Sequence, residues 1–326
     1  MKNSLFYLVL CLFLLVSATK AEVYTSLDGH KFEVNLILQK DSIMLGEPIF
    51  MDFEVKNLSD VDLGILYGGD YRNEFSRPDS FDIKVFDASG AIVPKPETFT
   101  MGGMSGFQKS PVGQSHRLKL YLPHWATFDK TGNYKIRLVK SLIVRKYGLS
   151  ITIDDLRAKG VLISLSAPIK VVASDYRKMG AVIDTIGKQV VARDDTAERL
   201  VPFINDKRII KYLAEAIKNN EWLMRHLSKF NDDGALNAIF SRIKDEKPQV
   251  RRLVSISLSR SVHPKAFQYL RQMRNDTFYA IRMDIVHHLS KTKTRETTRM
   301  LKEMANDENE QVAGEAKRYL QERGEK

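Results

Sequence analysis

His287 and His288 are the first residues in which to look for metal or acid–base chemistry. Adjacent positions on a helix project to different faces, so these two cannot chelate one ion together. No His-Glu-x-x-His pair occurs anywhere in the chain. Asp60 and Asp62 sit in a turn, but the glycine and the distant glutamate of a calcium loop are missing. Cys11 is the single cysteine. Ser105 lies in Met101-Gly102-Gly103-Met104-Ser105-Gly106-Phe107, where Phe107 occupies the place of the second glycine that a nucleophile elbow needs. No lysine followed by serine or threonine trails these glycines at the required offset, so the stretch is no phosphate loop either. The reading is of no catalytic residue, no metal and no cofactor, with Met104 and Phe107 as partner-contacting residues of a long glycine-rich loop over residues 94–113.

Cys11 falls inside a nearly unbroken apolar run at residues 5–16, between Lys2 and the small residues Ser17-Ala18-Thr19-Lys20-Ala21. Charge, apolar core and small-residue site, in that order, make a secretory signal over residues 1–21, cleaved after Ala21 or Ala18. The run is shorter than the roughly 20 residues that span a bilayer, which leaves no transmembrane segment after cleavage. Leu10 stands where a lipid-attachment cysteine needs a small residue before it. The expected mature chain therefore has no disulfide, no thiolate nucleophile and no cysteine-bound metal. Its expected place is exported, periplasmic or extracellular.

Two periodicities divide what remains. From Phe32 to Ala173 apolar residues alternate: Phe32, Val34, Leu36, Leu38; Ile49, Met51, Phe53, Val55; Ile83, Val85; Leu118, Leu120, Leu122; Tyr134, Ile136, Leu138. Seven or more short strands with turns between them describe an antiparallel sandwich over residues 22–174. From Asp175 the period becomes helical, as in Met179, Val182, Ile183, Ile186 and Val190. Residues 175–326 form the second domain. Net charge is concentrated there, with 30 basic against 22 acidic residues, whereas 22–174 holds 19 against 18. A basic half suits an acidic partner, an anionic surface or nucleic acid.

Within the helical part a strict step of 31 residues recurs. It relates Asp245, Asp276 and Asp307; Val250, Ile281 and Val312; Ile239, Leu270 and Leu301; Leu258, Leu289 and Leu320. Each copy predicts two helices about a tight turn, for example 235–244 and 248–260, whose apolar stripes are covered by the neighbouring copies.

The copies resemble HEAT repeats, in particular the short kind found in phycobilin lyases. The carrying motif is an Asp in the turn, an apolar residue five later and an Arg next: Asp245…Val250-Arg251 and Asp276…Ile281-Arg282. The resemblance covers about residues 207–323, including a degenerate copy at Asn219…Met224-Arg225. It implies that Asp245, Arg251, Asp276 and Arg282 form a structural ladder between repeats rather than a binding stripe. Arg252 lies outside that ladder and stays free for binding, as does Lys293. In the last copy Ala313 replaces the arginine, as suits a terminal cap. Likewise Phe128-Asp129-Lys130-Thr131-Gly132-Asn133-Tyr134, and Gly46-Glu47-Pro48-Ile49 before an alternating strand, resemble turns of immunoglobulin-like domains, in which such a tyrosine bonds back to the corner.

The expected whole is an immunoglobulin-like sandwich followed by an all-α HEAT-like solenoid, acting as an exported, non-enzymatic scaffold for a protein partner. The alternatives are an enzyme of a HEAT-bearing class, bilin-lyase-like, or a basic solenoid that binds nucleic acid or an anionic envelope polymer. An export signal argues against nucleic acid.

Overall fold

The computed structural model describes residues 21–68, 80–96, 106–149 and 160–325. The signal run, Cys11, Met104, Ser105 and the rest of residues 97–105 in the glycine-rich loop lie outside the described residues. The chain divides into two compact units, Met1–Tyr176 and Arg177–Lys326. The expected boundary at Ser174-Asp175 falls between the last strand of the first unit and the helix at Tyr176–Val191. Among the described residues no helix is long and apolar enough to cross a membrane.

The first unit is built of β1 (Glu22–Thr25), β2 (Lys31–Leu38), β3 (Ser42–Met44), β4 (Phe50–Asn57), β5 (Leu63–Leu66), β6 (Asp82–Phe86), β7 (Gln108–Ser110), β8 (Ser115–Tyr121), β9 (Gly132–Lys146) and β10 (Val161–Val172). They pair in two sheets. One runs β1-β2-β4-β8; the other runs β3-β10-β9-β5-β7, with β6 also on β9. The alternating residues of both sheets enter one core: Phe32, Leu36, Phe53, Val55, Ile136, Leu138 and Leu165 are at most 1% exposed. This is the energetic reason for the period of two, since every second side chain leaves water.

Two details depart from an antiparallel set of short strands. β3 pairs with β10 in parallel, Ile43 opposite Val171. β9 and β10 are 15 and 12 residues long. β9 achieves its length by serving two partners in succession, β6 along residues 135–139 and β5 along residues 143–146. At its start the Tyr134 hydroxyl donates to the Lys130 carbonyl at 2.8 Å, and the ring meets Phe128 edge-on. Asn57, fully buried at the end of β4, donates to the Val61 and Ser110 carbonyls and so satisfies its amide while joining β4 to the β5 and β7 region. In the turn before β4, buried Glu47 accepts from the Met44 N–H and pairs with Lys40, while Gly46 takes the left-handed conformation.

The second unit contains α1 (Tyr176–Val191), α2 (Asp195–Leu200), α3 (Ile210–Ala216), α4 (Met224–Leu227), α5 (Asp233–Phe240), α6 (Pro248–Arg260), α7 (Ala266–Gln272), α8 (Tyr279–Ser290), α9 (Arg295–Met304) and α10 (Glu310–Glu322). Met179, Ile183, Ile186 and Val190 line the buried side of α1. Gly187 lies against the Tyr212 ring, closer than any Cβ could approach. Three helix pairs, α5/α6, α7/α8 and α9/α10, follow the 31-residue step. Ile239, Leu270 and Leu301, then Val250, Ile281 and Val312, then Leu258, Leu289 and Leu320 are all buried between them. The caps agree with the element starts. Asp232 and Asn309 accept from the first N–H groups of α5 and α10, Thr294 and Thr297 form a capping box on α9, and Pro248 opens α6. The degenerate copy is visibly shorter, with α4 holding a single turn of four residues.

Candidate functional site

Short turns joining packed helices force an up-and-down path, so the stack has two edges. One collects the turns inside each pair, the other the links between pairs. A 13-residue helix such as α6 separates them by about 20 Å. Asp245, Asp276 and Asp307 mark the first edge. Each carboxylate closes its own turn by accepting the N–H two residues on: from Lys247 at 3.0 Å, Phe278 at 2.9 Å and Asn309 at 2.8 Å. The arginine six residues later starts the second helix of the pair, which points it back at that turn and outward at the next.

Arg251 uses its five donors accordingly. Nη1 donates to the Asp245 carbonyl at 2.8 Å, while Nε and Nη2 grip the Asp276 carboxylate at 2.8 and 2.9 Å. Arg282 repeats the pattern one pair later, with Nη1 on the Asp276 carbonyl and the fork on Asp307 at 2.8 and 2.9 Å. Such paired N–H···O bonds hold geometry as well as charge. Hydrogen bonding to Asp276 raises the Arg251 pKa, and bonding to Asp307 raises that of Arg282. Burial works against ionisation of Asp276. The Arg251 fork and the Phe278 N–H outweigh it, so the carboxyl titrates below its usual range.

Asp245 stands differently from the other turn acids. Its partner is not an arginine of the preceding pair but Arg242 of its own turn, at 2.8 Å, which also donates to the Ile217 carbonyl. Arg225, at the ladder position of the degenerate copy, faces His226 instead. Where the full repeat begins, a local arginine stands in for the missing rung.

Arg252 is not free, contrary to the expectation for it. Its Nε and Nη2 bond Asp284 of α8 at 2.7 and 3.2 Å. Asp284 lies one position off the 31-residue step, which is why the period did not reveal it. Phe107 is likewise a packing residue: its ring lies under the Arg145 guanidinium at 4.1 Å and beside Gly64. Lys293 is exposed in the link between α8 and α9. Asp62 is paired with Lys109 at 2.8 Å. His287 faces Glu315 at 3.4 Å and the half-buried His288 points elsewhere. Among the described residues no group of three or more His, Cys, Asp and Glu is placed to hold a metal ion.

Between the first two turns of this edge lies an open groove of about 700 Å³. Phe240, Ile243 and Met273 give it an apolar floor, Lys244, Gln272 and Thr277 a polar rim, and Asp245, Arg251 and Asp276 its end. Phe240 is itself stacked on Tyr269 at 4.1 Å between ring centres. The carboxylates here are engaged by arginines, so they are poorly placed as bases or nucleophiles. What the groove offers a visitor is a mixed apolar and hydrogen-bonding surface on rigid helices.

A family model of HEAT repeats matches residues 236–321. The match begins in α5, at the first complete pair, and ends in α10, so it covers all three HEAT pairs that carry the 31-residue step. It leaves out the degenerate copy that the resemblance was expected to include from residue 207. No curated protein matches the chain.

Proposed function

We propose that the protein is an exported, non-enzymatic scaffold that binds a protein partner through its HEAT pairs. The observation that carries this reading is the groove beside the ladder. It is a preformed cleft on a stack whose ionisable groups stabilise one another. HEAT pairs supply rigid architecture rather than chemistry, and rigid helices with a mixed apolar and polar cleft suit a polypeptide ligand. The two-sheet unit, with the Tyr134 corner and the Glu47 turn, is read as an immunoglobulin-like sandwich. The short 31-residue repeat with its Asp and Arg is read as the phycobilin-lyase kind of HEAT. The apolar run before Ala21 supports export.

The test uses the full chain as bait in an extract of the native envelope, beside an Asn275→Trp variant that puts an indole on an exposed residue of the groove lining. Loss of the captured partner in the variant is the expected result. An identical set of captured proteins with both baits would overturn the groove as the binding surface. Amino-terminal sequencing of the native protein tests the address, with Glu22 or Thr19 expected as the first residue.

A further inference from the structure

The link edge of the stack differs from the turn edge in what its cations meet. Over residues 287–299 the chain carries Lys291, Lys293, Arg295 and Arg299 against one carboxylate, Glu296. All four cations are exposed. A fifth arrives from the end of the chain. Arg323 folds back so that Nη2 donates to the Leu289 and Thr292 carbonyls, and Nη1 to the Thr297 and Thr298 hydroxyls at 3.2 and 2.9 Å. Every one of these acceptors is neutral, so Arg323 adds positive charge to the corner without cancelling any there.

Helix electrostatics account for only part of this. Lys291 caps the carboxy-terminal end of α8, where a cation is favourable. Arg295 opens α9, where a cation faces the positive end of the helix. Lys293 lies in the link, beyond either helix. The charge also continues along the edge to exposed Arg260, one step of 31 before Lys291, whereas Lys229, a step earlier, is half-buried on the Val201 and Pro202 carbonyls.

We infer that this corner docks an acidic segment of a polypeptide partner, a surface additional to the groove. The inference rests on the scaffold reading and names the chemistry of a second contact. The composition of the corner selects the partner. Residues 287–299 contain no Phe, Tyr or Trp on which a base could stack, as single-stranded nucleic acid requires. The apolar residues at the corner, Leu289 and Met300, are buried, which leaves nothing to anchor in a bilayer. Exposed cations with threonine hydroxyls between them suit carboxylates. Spacing agrees as well. Neighbouring helix pairs stack at about 10 Å, and an extended chain advances about 3.4 Å per residue. An acidic residue at every third position would meet one cation per pair.

Fluorescence anisotropy of the full chain with a labelled peptide of repeated Glu-Ser-Gly triplets tests this. Lys293→Glu combined with Arg295→Glu should weaken binding about tenfold or more, and raising salt from about 50 to about 300 mM should do the same. Lys218→Glu combined with Lys247→Glu, at the turn edge and outside the groove, should leave peptide affinity unchanged. Both pairs are exposed, so unchanged circular dichroism is expected and serves as the control for folding. Equal affinity in the wild type and the Lys293/Arg295 variant would overturn the inference. So would binding of labelled duplex DNA or phosphatidylglycerol vesicles at this corner without binding of the peptide. If the peptide fails while Asn275→Trp still abolishes capture, the corner alone is refuted and the scaffold reading stands.

Discussion

The turn edge and the link edge of the helical stack are built from the same repeat and carry similar numbers of basic side chains, yet they treat charge in opposite ways. At the turn edge the arginines are shared between a carbonyl of their own turn and a carboxylate of the next, and burial makes that sharing obligatory. At the link edge Lys265 meets Asp233 at 3.1 Å, but the cations of the corner stand in water or cap neutral oxygens. A basic stretch in a sequence is thus two different things according to whether acids recur at the same step. Asp276 and Asp307 do recur opposite Arg251 and Arg282, whereas nothing acidic recurs opposite Lys291 or Arg295.

The comparison breaks first at Arg282. Its side chain and that of Asp307 are 5% and 8% exposed, so Arg282→Ala strands a buried carboxylate. A loss of about 3 kcal/mol is expected, readable as a fall in melting temperature of the helical unit. An unchanged melt would reduce the ladder to a coincidence of spacing. Arg251→Ala should cost somewhat less, about 2 kcal/mol, because its side chain is 13% exposed and it keeps no more than the Asp276 contact buried.

Acid should separate the edges in the same sense. Asp245 and Asp276 are held below their usual pKa in the folded chain. Their contribution is present above the unfolded value near ~3.9 and is lost as pH falls through the lower folded value. His226, which burial and the neighbouring cations Arg225 and Lys229 push down to about 3, acts in the same direction from about pH 6.5 downward, because only the unfolded chain takes up its proton there. Melting temperature should therefore decline in two stages on acidification, and His226→Gln should reduce the upper one, to which half-buried His288, also lowered by burial, adds. A flat profile between neutral pH and pH 5 would contradict the burial of His226.

Smaller effects sharpen the contrast. Arg252→Ala breaks a pair that is 48% exposed on the arginine side and should cost under about 1 kcal/mol. At the link edge the sign should reverse: Arg295→Glu places an anion at the start of α9 and should raise stability by a few tenths of a kcal/mol. A stabilising change that weakens acidic peptide would mark the corner as kept for binding. Destabilisation there would instead show that Arg295 is structural.

Local regularities were the legible part of this fold. Alternation places Phe32, Leu36, Phe53 and Ile136 in one core, and the step of 31 places nine apolar residues between the helix pairs. Residues that meet across unequal distances in sequence were not legible. The parallel pairing of β3 with β10 joins a three-residue strand to one over a hundred residues away and leaves no periodic trace. Asp284 reaches Arg252 across an offset of 32, and Phe107 meets Gly64 and Arg145, each far from it along the chain. The basic corner lies between these cases. The sequence marks Lys293 as free for binding, but Arg323 joins it only when the last helix turns back on the preceding pair.

Each rung of the ladder also has a direction. An arginine holds the backbone of its own turn and the carboxylate of the turn that follows, never the one before. Losses at the two ends of the stack are therefore unequal. Stripping the amino-terminal pairs leaves Asp245 still clasped by Arg242, an arrangement that closes on itself. Fraying of α9 and α10 removes Asp307 and leaves Arg282 with a buried charge facing an empty seat. Unravelling from the carboxy terminus thus meets its steepest resistance at the start, and the final pair, whose own arginine position is Ala313, works as a latch. It accepts a grip from behind, and Ala313 passes none forward.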